Sequence, residues 1–248
     1  MPAAVPQPDP GGSGPAPGLP QTALPQIRLV LAVSLDGRLA PPAGGAAQLG
    51  GAGDRRVLEE ALAWADAVLI GARTLRLHGS TCLIHRPELL EQRRRAGRSL
   101  QPMAVVVSRS GQLEPDLPFF RQPLRRGLLR PDAPGAAAPR PPGFEQCWPL
   151  ETWPQALAAL GATGLDRLVL LGGAELAGAL LALDLVEQLQ LTLCPLLLGG
   201  PHSWLPEGVA LPAGGWELQE QRPLGEGELL LRYGRRRSSG GCTPGAGP

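Results

Sequence analysis

The sequence predicts an α/β domain: a mostly parallel central sheet, helices on both of its faces, and an antiparallel hairpin at the C-terminal end. Three observations lead there. Short apolar runs occupy residues 27–33, broken only by Arg28, and 67–70, 103–107 and 168–171, and such runs suit strands covered on both faces. Segments of helical composition or period lie between them. Residues 168–200 read strand, Gly-Gly, helix, strand, an order that usually means parallel strands joined by a right-handed crossover.

The first strand, 27–33, runs straight into Ser34-Leu35-Asp36-Gly37-Arg38. Asp-Gly after a strand is a turn signal. It also sets a carboxylate at a strand's C-terminal end, where ligands bind in open α/β sheets, so Asp36 suits either role. A Gly/Ala loop follows over 41–53. Asp54 can cap a helix over 54–65, with Val57, Leu58, Ala61, Leu62 and Ala65 on one face. The second strand, 67–70, ends in Gly71-Ala72-Arg73-Thr74. Arg suits phosphate and Thr suits a helix N-terminus, though a solvated turn fits equally well. Residues 87–97 read as a polar helix with Arg93-Arg94-Arg95 as a solvated face. The third strand, 103–107, ends at Ser108-Arg109-Ser110-Gly111. Two hydroxyls and a guanidinium there suit either the 2′-phosphate of NADP or a plain turn.

Residues 122–143, dense in Pro, Arg and Ala, read as an irregular insertion with a short strand near 127–129. A short strand is expected over 144–148. Thr152 caps a helix to about residue 160, with Pro154 in its first turn. After the strand 168–171, Gly172-Gly173 leads into an Ala/Leu helix over 174–183 with Glu175 in its first turn. Glycine lets backbone N–H groups approach a ligand closely, and a helix N-terminus attracts phosphate. The pair also suits a bare tight turn, and it is not the GxGxxG dinucleotide fingerprint. The apolar run 189–198 is interrupted by Pro195. Strands at 216–222 and 228–233, joined at 224–227, complete the hairpin.

The length of 248 residues and hydrophobic content of 43% support a substantial core. The folded part is expected over 26–234, flanked by a disordered Pro/Gly-rich leader, 1–25, and a disordered tail, 235–248. Removing most of both is expected to leave the melting temperature nearly unchanged. No apolar stretch reaches about 18 residues, and the N-terminus lacks the pattern of a secretory signal. A net charge of +1 gives no indication of nucleic-acid binding. All 23 basic residues are Arg, and Lys and Asn are absent. That points to a GC-rich genome and excludes a catalytic lysine. Cys82, Cys147, Cys194 and Cys242 form no CxxC pair and, with His78, His85 and His202, no metal pattern. They read as free thiols in a reducing, cytoplasmic compartment.

In order, these pieces resemble the reductase domain of the riboflavin-biosynthesis deaminase–reductase family, from about residue 27 to residue 233. The matching segments are Ser34 through Arg38, then Asp66-Ala67-Val68-Leu69-Ile70-Gly71 leading to Thr74. Ser108-Arg109 and Gly172-Gly173-Ala174-Glu175-Leu176 follow. Leu185-Val186-Glu187-Gln188-Leu189, leading to Pro195 and Leu198-Gly199, completes them. No deaminase zinc signature accompanies them, so the chain resembles a stand-alone reductase.

The resemblance implies the dihydrofolate-reductase-like three-layer fold, a homodimer, and NADPH-dependent reduction of a phosphoribosylamino-pyrimidine to its ribityl form. The substrate is the uracil compound or its diamino precursor. It also implies cofactor contacts at Ala32, Thr74, Ser108 and Gly173 through Leu176, and it sets Asp36 in the loop beside the reaction centre; the turns themselves add Gly71, Arg109 and Gly172 as cofactor candidates and Ser34 as a substrate candidate. Asp36 or a bound water would protonate a carbonyl oxygen if the ribose reacts in its open form. Three positions depart from the pattern: His78-Gly79-Ser80 replaces Asp-Asp-Pro, Leu171 replaces an acid, and Leu62 stands at a basic substrate position. Two other readings stay open on those departures. One is an NADPH reductase of another heterocyclic or carbonyl compound; the other is a non-catalytic binding protein on the same fold.

Overall fold

A computed structural model describes residues 24–131 and 141–236. The expected leader up to residue 23, the tail from 237 and the centre of the 122–143 segment lie outside the described residues. Chain order is β1 (Gln26–Ser34), α1 (Ala52–Trp64), β2 (Ala67–Gly71), α2 (Ala72–His78), α3 (Pro87–Arg95), β3 (Met103–Val107), a 3₁₀ turn (Pro118–Arg121), β4 (Arg126–Arg130), β5 (Gln146–Pro149), α4 (Trp153–Gly161), β6 (Arg167–Leu170), α5 (Ala174–Ala182), β7 (Gln188–Cys194), β8 (Trp216–Gly225) and β9 (Glu228–Arg235).

The nine strands form one sheet in the order β5-β4-β3-β2-β6-β1-β7-β9-β8. Pairing is parallel from β5 to β7, and β9 and β8 close the edge antiparallel. Alternation along β1 divides the core in two. Ile27, Leu29, Leu31 and Val33 pack with Leu157 and Leu160 of α4 and Ala177 and Leu180 of α5. Val30 packs the other way, with Val68, Ile70, Val106 and Val169, onto Ala61 and Leu62 of α1 and Leu75 of α2. Strands buried on both faces explain the apolar runs.

Several expectations change at this level. The short strand expected near 127–129 is present as β4, one residue longer at each end and paired on both sides, so that part of the 122–143 segment is no irregular insertion. β7 ends at Cys194, because Pro195 has no N–H to donate, and Leu196 and Leu197 beyond it are exposed. β9 extends through Arg235, whose Nε donates to Asp184 at 2.6 Å. Arg93 belongs to no solvated face. It is 2% exposed; its Nε donates to Ser99 O at 2.7 Å, and its Nη1 to the carbonyls of Leu62, Ala63 and Ala65. A cation on the last carbonyls of α1 also suits that helix's dipole. Only Arg94 and Arg95 are solvated, both paired with Glu91.

Asp54 does not cap α1 either. The N-cap residue is Gly51, which has no side-chain cap. The cap comes from β9: Glu228 accepts Gly51 N–H at 2.5 Å and Asp54 N–H at 3.1 Å.

Candidate active site

The parallel strands all end on one edge, and their connections leave it in opposite directions. β2 passes directly into α2 on the α1 face. β6, its neighbour, passes through Gly172-Gly173 into α5 on the other face. Such a switch point opens a crevice at the strands' C-terminal ends. Gly71 is the N-cap of α2 and Gly173 the N-cap of α5, neither with a side-chain cap bond. Gly172 and Gly173 have φ of 79° and 86°, in the region glycine tolerates best. A Cβ on Gly173 would lie 3.0 Å from Thr74 Oγ1, and one on Gly172 would lie 3.0 Å from Leu31 Cδ2. The backbone therefore lies bare against Thr74 at the start of α5. Ala174 is half-buried, Glu175 is exposed, and Leu176 is buried in the core, so Leu176 can offer a ligand only its backbone. Glu175 lies 3.6 Å from Arg73 with both side chains almost fully exposed, a pair of little energetic weight.

The other expected residues line the same edge. Ala32 is a half-buried small residue on the α1 side of β1 and pairs in register with Thr192 of β7. Ser108 is buried, and its Oγ accepts Gly111 N–H at 3.0 Å, shaping the turn that carries the exposed Arg109. From β3 to β7 the order along the edge is Ser108-Arg109, Gly71-Thr74, Gly172-Gly173, Ala32, Thr192. At about 4.8 Å per strand this line spans roughly 19 Å.

Ser34 and Asp36 form a tether. Ser34 is fully buried; its Oγ donates to Asp36 Oδ1 at 2.6 Å and accepts Arg38 N–H at 2.9 Å. Asp36 also accepts the N–H groups of Leu198, at 3.1 Å, and Gly199, at 2.7 Å. The Ser34 hydroxyl and these two amides hold its carboxyl down at about 2. A carboxyl ionised throughout the neutral range has no proton to give, so the geometry suits Asp36 to joining two loops and not to acid catalysis. Ser34 has no free surface to present to a substrate.

Sequence reasoning did not find the cavity of about 480 Å³ over the N-terminus of α1, lined by Gly51, Arg55, Arg56, Glu59 and Arg86 among others. Glu59 is buried and accepts the N–H groups of His85 and Arg86, both at 2.9 Å, which fixes the segment carrying Arg86. Arg55 and Arg56 make no ion pair among the described residues, while Arg86 pairs with Glu88 at 2.5 Å. Arg55-Arg56 was visible in the sequence as part of a helix; its nearness to Arg86, some 30 residues away, was not. Leu62, where the resemblance expects a cation, is fully buried in the core.

The sequence profile described as the RibD C-terminal domain matches residues 25–230. The 2,5-diamino-6-ribosylamino-4(3H)-pyrimidinone 5′-phosphate reductase of Methanothermobacter thermautotrophicus is 27% identical over 230 residues, covering 84% of this chain and 97% of that protein. The solved structure of the Thermotoga maritima diaminohydroxyphosphoribosylaminopyrimidine deaminase/5-amino-6-(5-phosphoribosylamino)uracil reductase superposes with TM-score 0.68 at 19% identity. The match covers 86% of this chain and 57% of that one. Dihydrofolate reductase of Enterococcus faecalis, solved with NADP(H) and an inhibitor, superposes with TM-score 0.50 at 14% identity over 86% and 97% of the two chains, which places the fold in the dihydrofolate-reductase-like group. The chain belongs to the RibD C-terminal domain family, and its fold is that of the riboflavin-biosynthesis reductases.

Proposed function

We propose that this chain is the oxidoreductase that converts the ribosyl group of a phosphoribosylamino-pyrimidine into a ribityl group, with NADPH as reductant. The bare Gly172-Gly173 turn at the N-terminus of α5, packed on Thr74, carries this reading. Backbone amides without a Cβ in front of them, at a helix N-terminus, suit a pyrophosphate. The name of the archaeal relative supports the substrate class, and the NADP(H) in the dihydrofolate reductase structure supports the cofactor.

The residues present fit the dinucleotide. Gly71, Thr74 and Gly172 through Leu176 would hold its pyrophosphate, Ser108 and Arg109 the 2′-phosphate, and Ala32 would leave room for a flat ring. When bound, the cofactor supplies a hydride; the chain binds, orients and excludes water. Arg55, Arg56 and Arg86 are suited to the substrate's phosphate, because three guanidinium groups beside a helix N-terminus favour a dianion. They supply the charge that Leu62 cannot.

The reading includes a homodimer in the cytoplasm. Exposed Leu197 and Leu218 support association, and light scattering of the purified protein tests it. Among the described residues no helix is long and apolar enough to cross a membrane.

The test of the cofactor site is Gly173→Val, which is expected to weaken NADPH binding more than tenfold, because the branched side chain meets Thr74. Unchanged affinity in a folded variant would return the glycine pair to turn-making alone.

A further inference from the structure

With Asp36 ionised, a second carboxyl on the same edge fits the role of proton donor. Asp54 is in the first turn of α1 with its carboxyl against Gly50, where an added Cβ would lie 2.2 Å from Oδ2. It takes the side-chain hydrogen bond of Thr192. Thr192 pairs in register with Ala32, so Asp54 reaches the sheet one strand beyond the expected position of the reacting ring. Glu228 of β9 is held close by the Asp54 amide. We propose that Asp54 is the acid that protonates the substrate during reduction. This rests on the functional reading above.

In the proposed step the C1′–O4′ bond of the ribosyl ring breaks. O4′ takes the carboxyl proton and becomes a hydroxyl, while C1′ receives the hydride of the reduced nicotinamide, whose electron pair becomes the new C–H bond. Asp54 is left as a carboxylate and is reprotonated from water. The electrostatics favour this residue. Burial raises the Asp54 carboxyl above its ordinary value, and Glu228 adds to the shift, against the Thr192 hydrogen bond and the neighbouring Arg55, which lower it. Cys82, before α3, and Cys194, on β7, also feel its charge, and Glu226 lies beside Gly51 at the same helix end. A carboxyl raised above its ordinary value holds its proton more firmly, which is the direction a general acid needs.

The test uses the full chain with NADPH and the pyrimidine ribosyl phosphate. Asp54→Asn keeps the shape and the Thr192 contact, and is expected to lower kcat by roughly 10²–10⁴-fold, the usual worth of a general acid, with NADPH affinity unchanged within a few-fold. Wild-type kcat should fall as pH rises through the Asp54 pKa, and the variant should lack that limb. A readout free of turnover is the carboxyl carbon NMR titration of Asp54 in the unliganded wild type, absent from the Asp54→Asn spectrum. It is expected to lie above the ordinary aspartate midpoint. A midpoint at or below that value, or equal kcat and pH profile in the two proteins, overturns the proposal. If wild type oxidises no NADPH while the carboxyl titrates high, the functional reading has failed and the donor assignment falls with it. If wild type turns over and Asp54→Asn matches it, only the assignment has failed.

Discussion

Arg93 shows how a side chain that reads as surface charge becomes part of the core. Its guanidinium satisfies four carbonyls at the end of α1 and the turn after α3; burial lowers its pKa to about 10, leaving it charged at neutral pH. Arg93→Met should cost roughly 3 kcal/mol in urea unfolding, since buried carbonyls lose their donors at about 1–3 kcal/mol each, whereas Arg94→Met should change stability little. Equal effects would contradict the assignment. Asp36 gives a pH signature. Its carboxyl sits near 2 in the folded chain against about 3.9 unfolded. The depressed value means the tether stabilises above about pH 4 and is lost as pH falls toward 2. The melting-temperature gap between wild type and Asp36→Asn should therefore be full at pH 6 and shrink on acidification; a gap constant from pH 6 to pH 2 would remove the tether. Neither role was legible in the sequence, because Leu198 and Gly199 lie 162 and 163 residues from Asp36, and Arg93 differs from its two neighbours only in the direction it faces.

At the scale of elements the pattern carried further. Apolar runs bounded by turns located β1, β2, β3 and β6 within one or two residues, because strands covered on both faces leave no ambiguity of face. α2 was missed, since seven residues after Gly71 give too short a window for helical period. The start of α1 was misread because its cap comes from Glu228 on β9 and not from the helix's own first turn. The ends of β3 and β6 carry the cofactor prediction. Arg109 stands exposed just past β3, where a guanidinium can meet a phosphate with two charged hydrogen bonds. Arg109→Ala should weaken NADPH about ten- to a hundredfold, at roughly 1.5–3 kcal/mol per charged bond, and leave NADH nearly unchanged. Equal loss for both cofactors, or none, would make Arg109 an ordinary surface residue.

Across the whole molecule, strand order is what makes a site. β6 inserts between β1 and β2, and no local signal in the chain announces that insertion. It brings Gly172-Gly173 against Thr74, about a hundred residues earlier, and sets Ala32 next in line. The resemblance pointed to most of these residues one by one; the fold shows why they share an edge, and the proposals add Asp54, Arg55, Arg56 and Arg86 from the helix N-terminus and the loop above it. The central claim is that this edge reduces a ribosyl phosphate. The direct measurement is consumption of NADPH by the purified chain with the deaminated and the undeaminated pyrimidine ribosyl phosphate in turn, with the product weighed by mass spectrometry. The account predicts one NADPH oxidised for each product molecule, which is heavier than its substrate by two hydrogens. Folded protein that oxidises NADPH with neither compound would contradict it.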